Sequence, residues 1–336
     1  MYASIRIAFV EIKGGSFVKK VLLFGDIGID DTAALIYARL HQEIEIVGLI
    51  ADYGNVSREV AVANILYLMK LFNFPKEIPV ILGAEVPLTG EQPTYFPEIH
   101  GEHGLGPIIL NEDYDFKTEN FLEIVNIIKK YKDELIIVNI GRLTSLATMF
   151  IFYKDLMKNV KEIYIMGGAF GVPGNVTSIA EANFHGDPFA VNIVLNYAKN
   201  VTIIPLNATQ KAIVTPGMVD YIDHFGKAKI FKPLMEYYTR FYKERDPSLL
   251  GSPLHDALTL MAVMNPDMFT YESYPVTVID KLDGPARGQS IAETLTYENL
   301  NTGQKKHRIA FDINYEKFFH NFLSVMTGQQ INSDLK

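Results

Sequence analysis

Short runs of β-branched and aliphatic residues alternate along this chain with longer amphipathic stretches, and that alternation constrains the fold more than any other feature. Residues 21–24, 44–51, 80–82, 135–138, 163–165 and 201–205 read as strands. Helical periodicity fills most of the intervals, as at 32–40 and 57–72. Strands separated by helices need right-handed crossovers, which yield a parallel sheet covered on both faces. The expected fold is a single α/β domain with a mostly parallel central sheet flanked by helices, a Rossmann-like core. Strand-like segments at 274–279 and 292–297 are expected to add sheet near the end. Residues 1–17 are expected to form an extension or an extra edge strand ahead of a domain spanning 18–330.

A chain of 336 residues, 48% of them hydrophobic and 21% charged, can bury a substantial core. Its formal net charge of -8 argues against electrostatic attachment to nucleic acid or to an anionic membrane. The absence of cysteine removes disulfides, thiolate metal sites and thiol nucleophiles. The apolar N-terminal stretch is broken by Arg6 and Glu11 and lacks a small-residue cleavage site, so no signal peptide is expected. No uninterrupted apolar run reaches the ~18 residues that a membrane helix needs. These features fit a cytoplasmic protein.

In folds of this kind ligands sit beyond the carboxyl ends of the strands. The first such position reads Gly25-Asp26-Ile27-Gly28-Ile29-Asp30-Asp31. Its three carboxylates would repel one another unless a cation or protons offset them. Calcium accepts several carboxylate oxygens, and glycines let a loop curl around it. The loop alone is equally compatible with a solvated turn in which Asp30 or Asp31 caps the next helix. A phosphatase with an aspartate nucleophile is a third possibility, but such enzymes favour Asp-x-Asp where this chain has Phe24-Gly25-Asp26.

Further candidates follow later strands. They are Gly54-Asn55, the loop His100-Gly101-Glu102-His103-Gly104-Leu105-Gly106, and Ile140-Gly141-Arg142-Leu143-Thr144. Then come Met166-Gly167-Gly168, the segment from Gly174-Asn175 through Glu181-Ala182-Asn183, and His255-Asp256. Each is weak alone, since glycines serve ordinary turns and Asp256 would equally cap its helix. In this order, from about residue 20 to residue 320, they resemble the inosine–uridine-preferring nucleoside hydrolases, which open with Asp-x-Asp-Pro-Gly-x-Asp-Asp.

That resemblance implies hydrolysis of the N-glycosidic bond of ribonucleosides with Ca2+ as cofactor. It implies Asp26, Asp31, Asp256 and the backbone carbonyl of Ile140 as calcium ligands, with a water and two ribose hydroxyls completing the shell. Asp26 would also be the general base. Asp30 and Asn183 would hold the 2′-hydroxyl, Asp256 the 3′-hydroxyl, and Asn175 and Glu181 the 5′-hydroxyl, with Asn55 supporting the pocket. His255 would be the leaving-group acid, with His100 near the base. Carboxylates beneath the sugar suit a ribosyl-cation-like transition state, and an imidazole titrates near neutrality.

The chain has no tryptophan, so leaving-group activation by indole stacking is not expected. Tyr238 and Tyr242, one turn apart on a helix over 233–242, are expected to close over the base, although a core-facing stripe would show the same spacing. Base preference is expected to lie in loops around 91–100 and 237–251. The family commonly forms homodimers or homotetramers, and the same is expected here.

Two departures stand out. Phe24 occupies the place of the family's first aspartate, removing a carboxylate expected to hydrogen-bond behind the metal ligands, and Ile27 replaces its proline. Loss of such a support typically costs ~10–100-fold in metal affinity or activity. Ala182 stands where some relatives carry an aromatic residue. Two alternatives therefore remain: a hydrolase for a modified riboside, and a calcium-dependent nucleoside or ribose binder with weak turnover.

Overall fold

The computed structural model describes residues 18–110, 117–293 and 305–331. Nine strands form the main sheet: β1 (Lys19–Gly25), β2 (Ile44–Ala51), β3 (Val80–Leu82), β4 (Thr118–Glu119), β5 (Leu135–Asn139), β6 (Glu162–Met166), β7 (Val201–Ile204), and two more from later in the chain. Between those come β8 (Ile213–Val214) and β9 (Ser252–Pro253), paired as a small antiparallel ribbon. The late sheet strands are β10 (Phe269–Tyr274) and β13 (His307–Ile313), with β11 (Val276–Val278) and β12 (Ser290–Ala292) forming a second ribbon between them. The order across the sheet is β10-β13-β7-β6-β5-β1-β2-β3-β4, parallel throughout except for the antiparallel β10–β13 edge.

The six expected strands appear where the hydrophobic runs fall, because strands buried on both faces read as continuous aliphatic segments. Alternate residues of β1 show the two faces: Val21 and Leu23 join one apolar layer, Leu22 and Phe24 the other. Phe24 is thus a core residue, packed in the same layer as Ile50, Ile137 and Leu143.

The late segments differ from expectation. The part of 274–279 that forms β11 joins β12 in a separate ribbon and adds nothing to the main sheet. The sheet is instead extended by β10 and β13, whose half-exposed residues dilute the apolar signal. Residues 294–297 of the other expected segment, and the extension at 1–17, lie outside the described residues. Among the described residues no helix is long and apolar enough to cross a membrane.

Neighbouring β1, the chain runs on to β2 on one side and returns as β5 on the other, so the strand order reverses there. That crevice, at the carboxyl ends of β1 and β5, is where an open α/β sheet offers a ligand site.

Candidate active site

The loop after β1 carries Asp26, and the helix Ile29–Leu40 begins three residues earlier than its apolar periodicity suggests. Asp30 and Asp31 consequently sit in the first helical turn rather than in a loop. The helix His255–Met264 brings Asp256 in its own first turn. These two helices pack side by side, so two positive helix ends face one group of carboxylates.

Carboxylate oxygens of Asp30, Asp31 and Asp256 all lie within 4.8 Å of one another, and all three residues are buried. Asp26, fully buried, adjoins this trio: its backbone N–H donates to Asp31 Oδ1 at 3.3 Å. Its Oδ2 accepts from the Asn55 backbone N–H at 2.6 Å, and the Asn55 side chain donates to Asp31 Oδ2 at 3.0 Å. Burial first, and neighbouring carboxylates after it, push Asp26 and Asp256 well above the ordinary aspartate range. The same burial raises Asp30 and Asp31 to about 6.

Two unit charges ~5 Å apart repel by about 3 kcal/mol at an effective dielectric of 20. Several such pairs would match the whole stability of a domain, so the group must be protonated or hold a cation. Asp26 Oδ1 and Asp30 Oδ1 are buried with no hydrogen-bond partner. Orphaned acceptors of hard-oxygen type on converging carboxylates fit a divalent metal such as calcium.

Arg142, part of the candidate loop Ile140–Thr144 but without a role assigned from sequence, proves central. Following β5, it is 3% exposed, and its Nη1 lies 3.4 Å from Asp26 Oδ2 while also bonding to Asn183 Oδ1. Asn183 in turn donates to the carbonyls of Ile140 at 2.9 Å and Met166 at 3.2 Å. The Ile140 carbonyl keeps a second lone pair for another partner. Nothing near Arg142 in sequence signals its burial, since its acidic partner lies 116 residues away.

Glu181 caps the helix Ala182–Gly186, accepting from the backbone N–H groups of Gly168, Asn183 and Phe184. Burial raises its pKa, and those three donors oppose the rise. Asn175 Oδ1 accepts from Ala182 N–H at 2.9 Å. Behind Asp26, the buried Asp52 bonds to Ser145 and accepts from Ala84 N–H at 2.7 Å, while burial lifts it to about 7.

The opposite wall is aromatic and basic. The helix Phe231–Arg245, longer than its expected span, presents Tyr238 and Tyr242 as a T-shaped pair 5.0 Å apart. Tyr242 OH lies 3.0 Å from His255 Nε2, and His255 Nδ1 lies 2.8 Å from Thr209 Oγ1. Thr209 is a second contributor without a sequence signal. Burial lowers His255 to about 4. His100 accepts the Ile29 N–H on Nδ1 at 3.1 Å, and burial, reinforced by the nearby Arg142 and His255 charges, lowers it to about 3. A His100 so placed is neutral, with its proton on Nε2.

One pocket unites these walls. Asp30, Asn55, His100 and Ile140 line it together with Asn175, Glu181 and Asn183. Tyr238, Tyr242, His255 and Asp256 complete the expected set, and Phe96, Phe241 and Arg245 add to the rim. Asp26 and Asp31 lie just beneath, through their contacts with Asn55. A roomier cleft lies between residues 38–47, 74–79 and 119–131, at the amino ends of β2 and β3. Among the described residues, the one grouping of side chains suited to a metal belongs to the small pocket.

The profile of the inosine-uridine preferring nucleoside hydrolases matches residues 21–320. Uridine nucleosidase 1 of Arabidopsis thaliana is 34% identical over 266 residues, which make up 77% of this chain and 78% of that protein. Among solved structures, a plant nucleoside hydrolase superposes with a TM-score of 0.86 at 27% identity, covering 92% of this chain and 99% of that one. A purine-preferring ribonucleoside hydrolase from Gardnerella vaginalis gives 0.84 at 29% identity, covering 92% and 98%. The chain belongs to the inosine-uridine preferring nucleoside hydrolase family. It is a hydrolase acting on nucleosides. The family is metal-dependent, and the buried aspartates here have the composition to hold a metal ion.

Proposed function

We propose that the chain hydrolyses the N-glycosidic bond of ribonucleosides, releasing ribose and a free base, with Asp26 as general base and His255 on the leaving-group side. The observation that carries this reading is the division of one pocket into two chemical halves. Four buried aspartates lie at its floor, and His255 with two tyrosines forms the facing wall.

Asp26, Asp31, Asp256 and the Ile140 carbonyl would hold calcium, with Asp30 close enough to share in the charge. Calcium bound there would lower the pKa of a water and orient the sugar hydroxyls. Asp26 accepts the proton of the attacking water on Oδ1, the oxygen left without a partner. Asp30 and Asn183 hold the 2′-hydroxyl, Asp256 the 3′-hydroxyl, and Asn175 and Glu181 the 5′-hydroxyl. The carboxylates favour the positive charge that develops on the ribosyl ring as the base departs. Tyr238, Tyr242 and His100 enclose the base, and the Tyr242–His255–Thr209 chain delivers a hydrogen bond or proton to it.

The test is ribose release from inosine, uridine and a panel of modified ribosides, with calcium and after exhaustive chelation, for wild type and Asp26→Ala. Metal-dependent release lost in the variant supports the proposal. Nucleoside binding without any ribose from folded, calcium-loaded protein makes the chain a binder and overturns it.

A further inference from the structure

Among the described residues, Arg142 stands apart from every other arginine and lysine by where it is seated. Its guanidinium carbon lies 5.7 Å from the centre of the Phe96 ring, and Nη1 reaches both Asp26 and Asn183. Gly186 closes the slot: a Cβ at that position would run into Nε and Cδ of Arg142. Two separate segments therefore leave room for this one side chain, one at Phe96 and the other the helix carrying Asn183 and Gly186. Arginine does not give up its proton in proteins, so the slot holds a permanent positive charge. Burying an unpaired cation is costly, and for this one the acidic groups beside it supply the opposite charge, with Asn183 and Phe96 adding contacts. Its charge opposes the upward push that burial exerts on both Asp26 and Glu181.

We propose that Arg142 is a resident countercation of the carboxylate cluster, which holds the Asp26 side chain in place and, by its charge, weakens the affinity of the cluster for calcium. The inference rests on the calcium reading above and extends it: this chain divides the neutralisation of its aspartates between a fixed guanidinium and an exchangeable ion. The guanidinium and the ion compete for the same negative field, because Asp26 contacts Arg142 on one side and Asp31 on the other. Binding of calcium and the presence of Arg142 are then negatively coupled, and the coupling is reciprocal. Arg142 is a positioning residue in this scheme, acting through Asp26.

Three variants separate charge from packing. Arg142→Met removes the charge and keeps much of the bulk, Arg142→Lys keeps the charge, and Gly186→Ala dislodges the side chain while leaving every polar group in the cluster intact. Calcium affinity by titration calorimetry and Tm in chelator and in saturating calcium are the readouts. Arg142→Met is expected to bind calcium roughly 10-fold or more tightly than wild type, since a unit charge within several ångströms is worth at least that factor. Its Tm in chelator is expected to fall by about 5 °C or more, with most of the loss recovered in calcium. Arg142→Lys should stay within about threefold of wild type in affinity, a difference worth well under one tenfold step, and Gly186→Ala should shift in the direction of Arg142→Met.

Unchanged calcium affinity in Arg142→Met, with equal Tm losses in both buffers, would make Arg142 a packing residue and overturn the proposal. Failure of the wild type to bind calcium would sink the calcium reading instead. The role of Arg142 is then decided in chelator: a Tm loss in the methionine variant that lysine restores supports the countercation, and equal losses in both variants overturn it.

Discussion

Nε2 of His255 lies 3.0 Å from the Tyr242 hydroxyl while its Nδ1 lies 2.8 Å from Thr209 Oγ1, so both ring nitrogens are engaged at the pocket wall. With its pKa lowered to about 4 by burial, the ring is neutral at pH 7 and one nitrogen accepts while the other donates. If this chain serves the leaving base, His255→Ala should lower kcat on inosine and uridine ~100-fold or more, and Tyr242→Phe ~10-fold. A riboside with a good leaving group, such as p-nitrophenyl riboside, needs no proton and should lose far less. Equal losses on both substrate types would remove His255 and Tyr242 from that role.

A second prediction needs no polar atom to change. A Cβ on Gly141 would stand 2.6 Å from Asp26 Oδ1, the oxygen assigned to the attacking water. Gly141→Ala should therefore displace the general base and cost ~100-fold or more in kcat, because small misplacements of reacting groups carry penalties of that order. Circular dichroism and Tm near those of wild type would show that the fold survives. A nearly fully active Gly141→Ala would rule out that placement of the water.

The cluster also sets the pH dependence of stability. Asp30 and Asp31 are raised to about 6 and Asp52 to about 7, against an ordinary aspartate value near 4 in the unfolded chain. Between those values the folded protein binds more protons than the unfolded one, so stability falls as pH rises through the window. His255 at about 4, His100 at about 3 and His307 at about 4 act oppositely, removing stability as pH drops below ~6.5. In chelator, Tm should thus rise as pH is lowered from 8 through 7 towards 6, with the histidines opposing the gain below ~6.5. Saturating calcium should reduce the rise to the share that Asp52 contributes, since a bound cation keeps the cluster carboxylates ionised. A chelated Tm that is flat from pH 8 to 6.5 would contradict this electrostatic picture.

Glu91 and Arg287 form a paired ion bridge at 2.8 and 2.9 Å, and Arg287 also donates to the His185 carbonyl at 3.0 Å. Hydrogen bonding from Arg287, and then from Thr89, holds the Glu91 carboxyl below the usual range. This bridge anchors the segment that runs on to Phe96 and His100 at the pocket rim. Glu91→Gln should raise KM for nucleosides about two- to fivefold with little effect on kcat, the scale of a partly exposed ion pair. A fall in kcat without a change in KM would place the bridge elsewhere in the cycle.

Much of the central sheet was legible because strands covered on both faces write uninterrupted aliphatic runs, as at β2 and β5. β10 and β13 were not, because half-exposed strands such as Phe269–Tyr274 mix polar and apolar residues. The start of the helix Ile29–Leu40 was misjudged by its caps: Gly28 precedes it without a capping side chain, and Asp30 and Asp31 look like turn residues when they are first-turn residues. The aspartates and His255 were readable from their order along the chain. Arg142 and Thr209 were not, since each acquires its meaning from a partner far away in sequence, Asp26 and His255 respectively. An arginine in isolation reads as surface.

Asp30 and Asp31 lie near the start of the domain and Asp256 far along it, and they meet because the helices Ile29–Leu40 and His255–Met264 pack together. The meeting place of these like charges is thus also the seam at which early and late parts of the fold close. A chain stalled before that closure has no pocket floor and nowhere to concentrate a cation, so partly built molecules stay chemically silent. A cation held in that seam would act as its clasp, tying the proposed chemistry to completion of the fold.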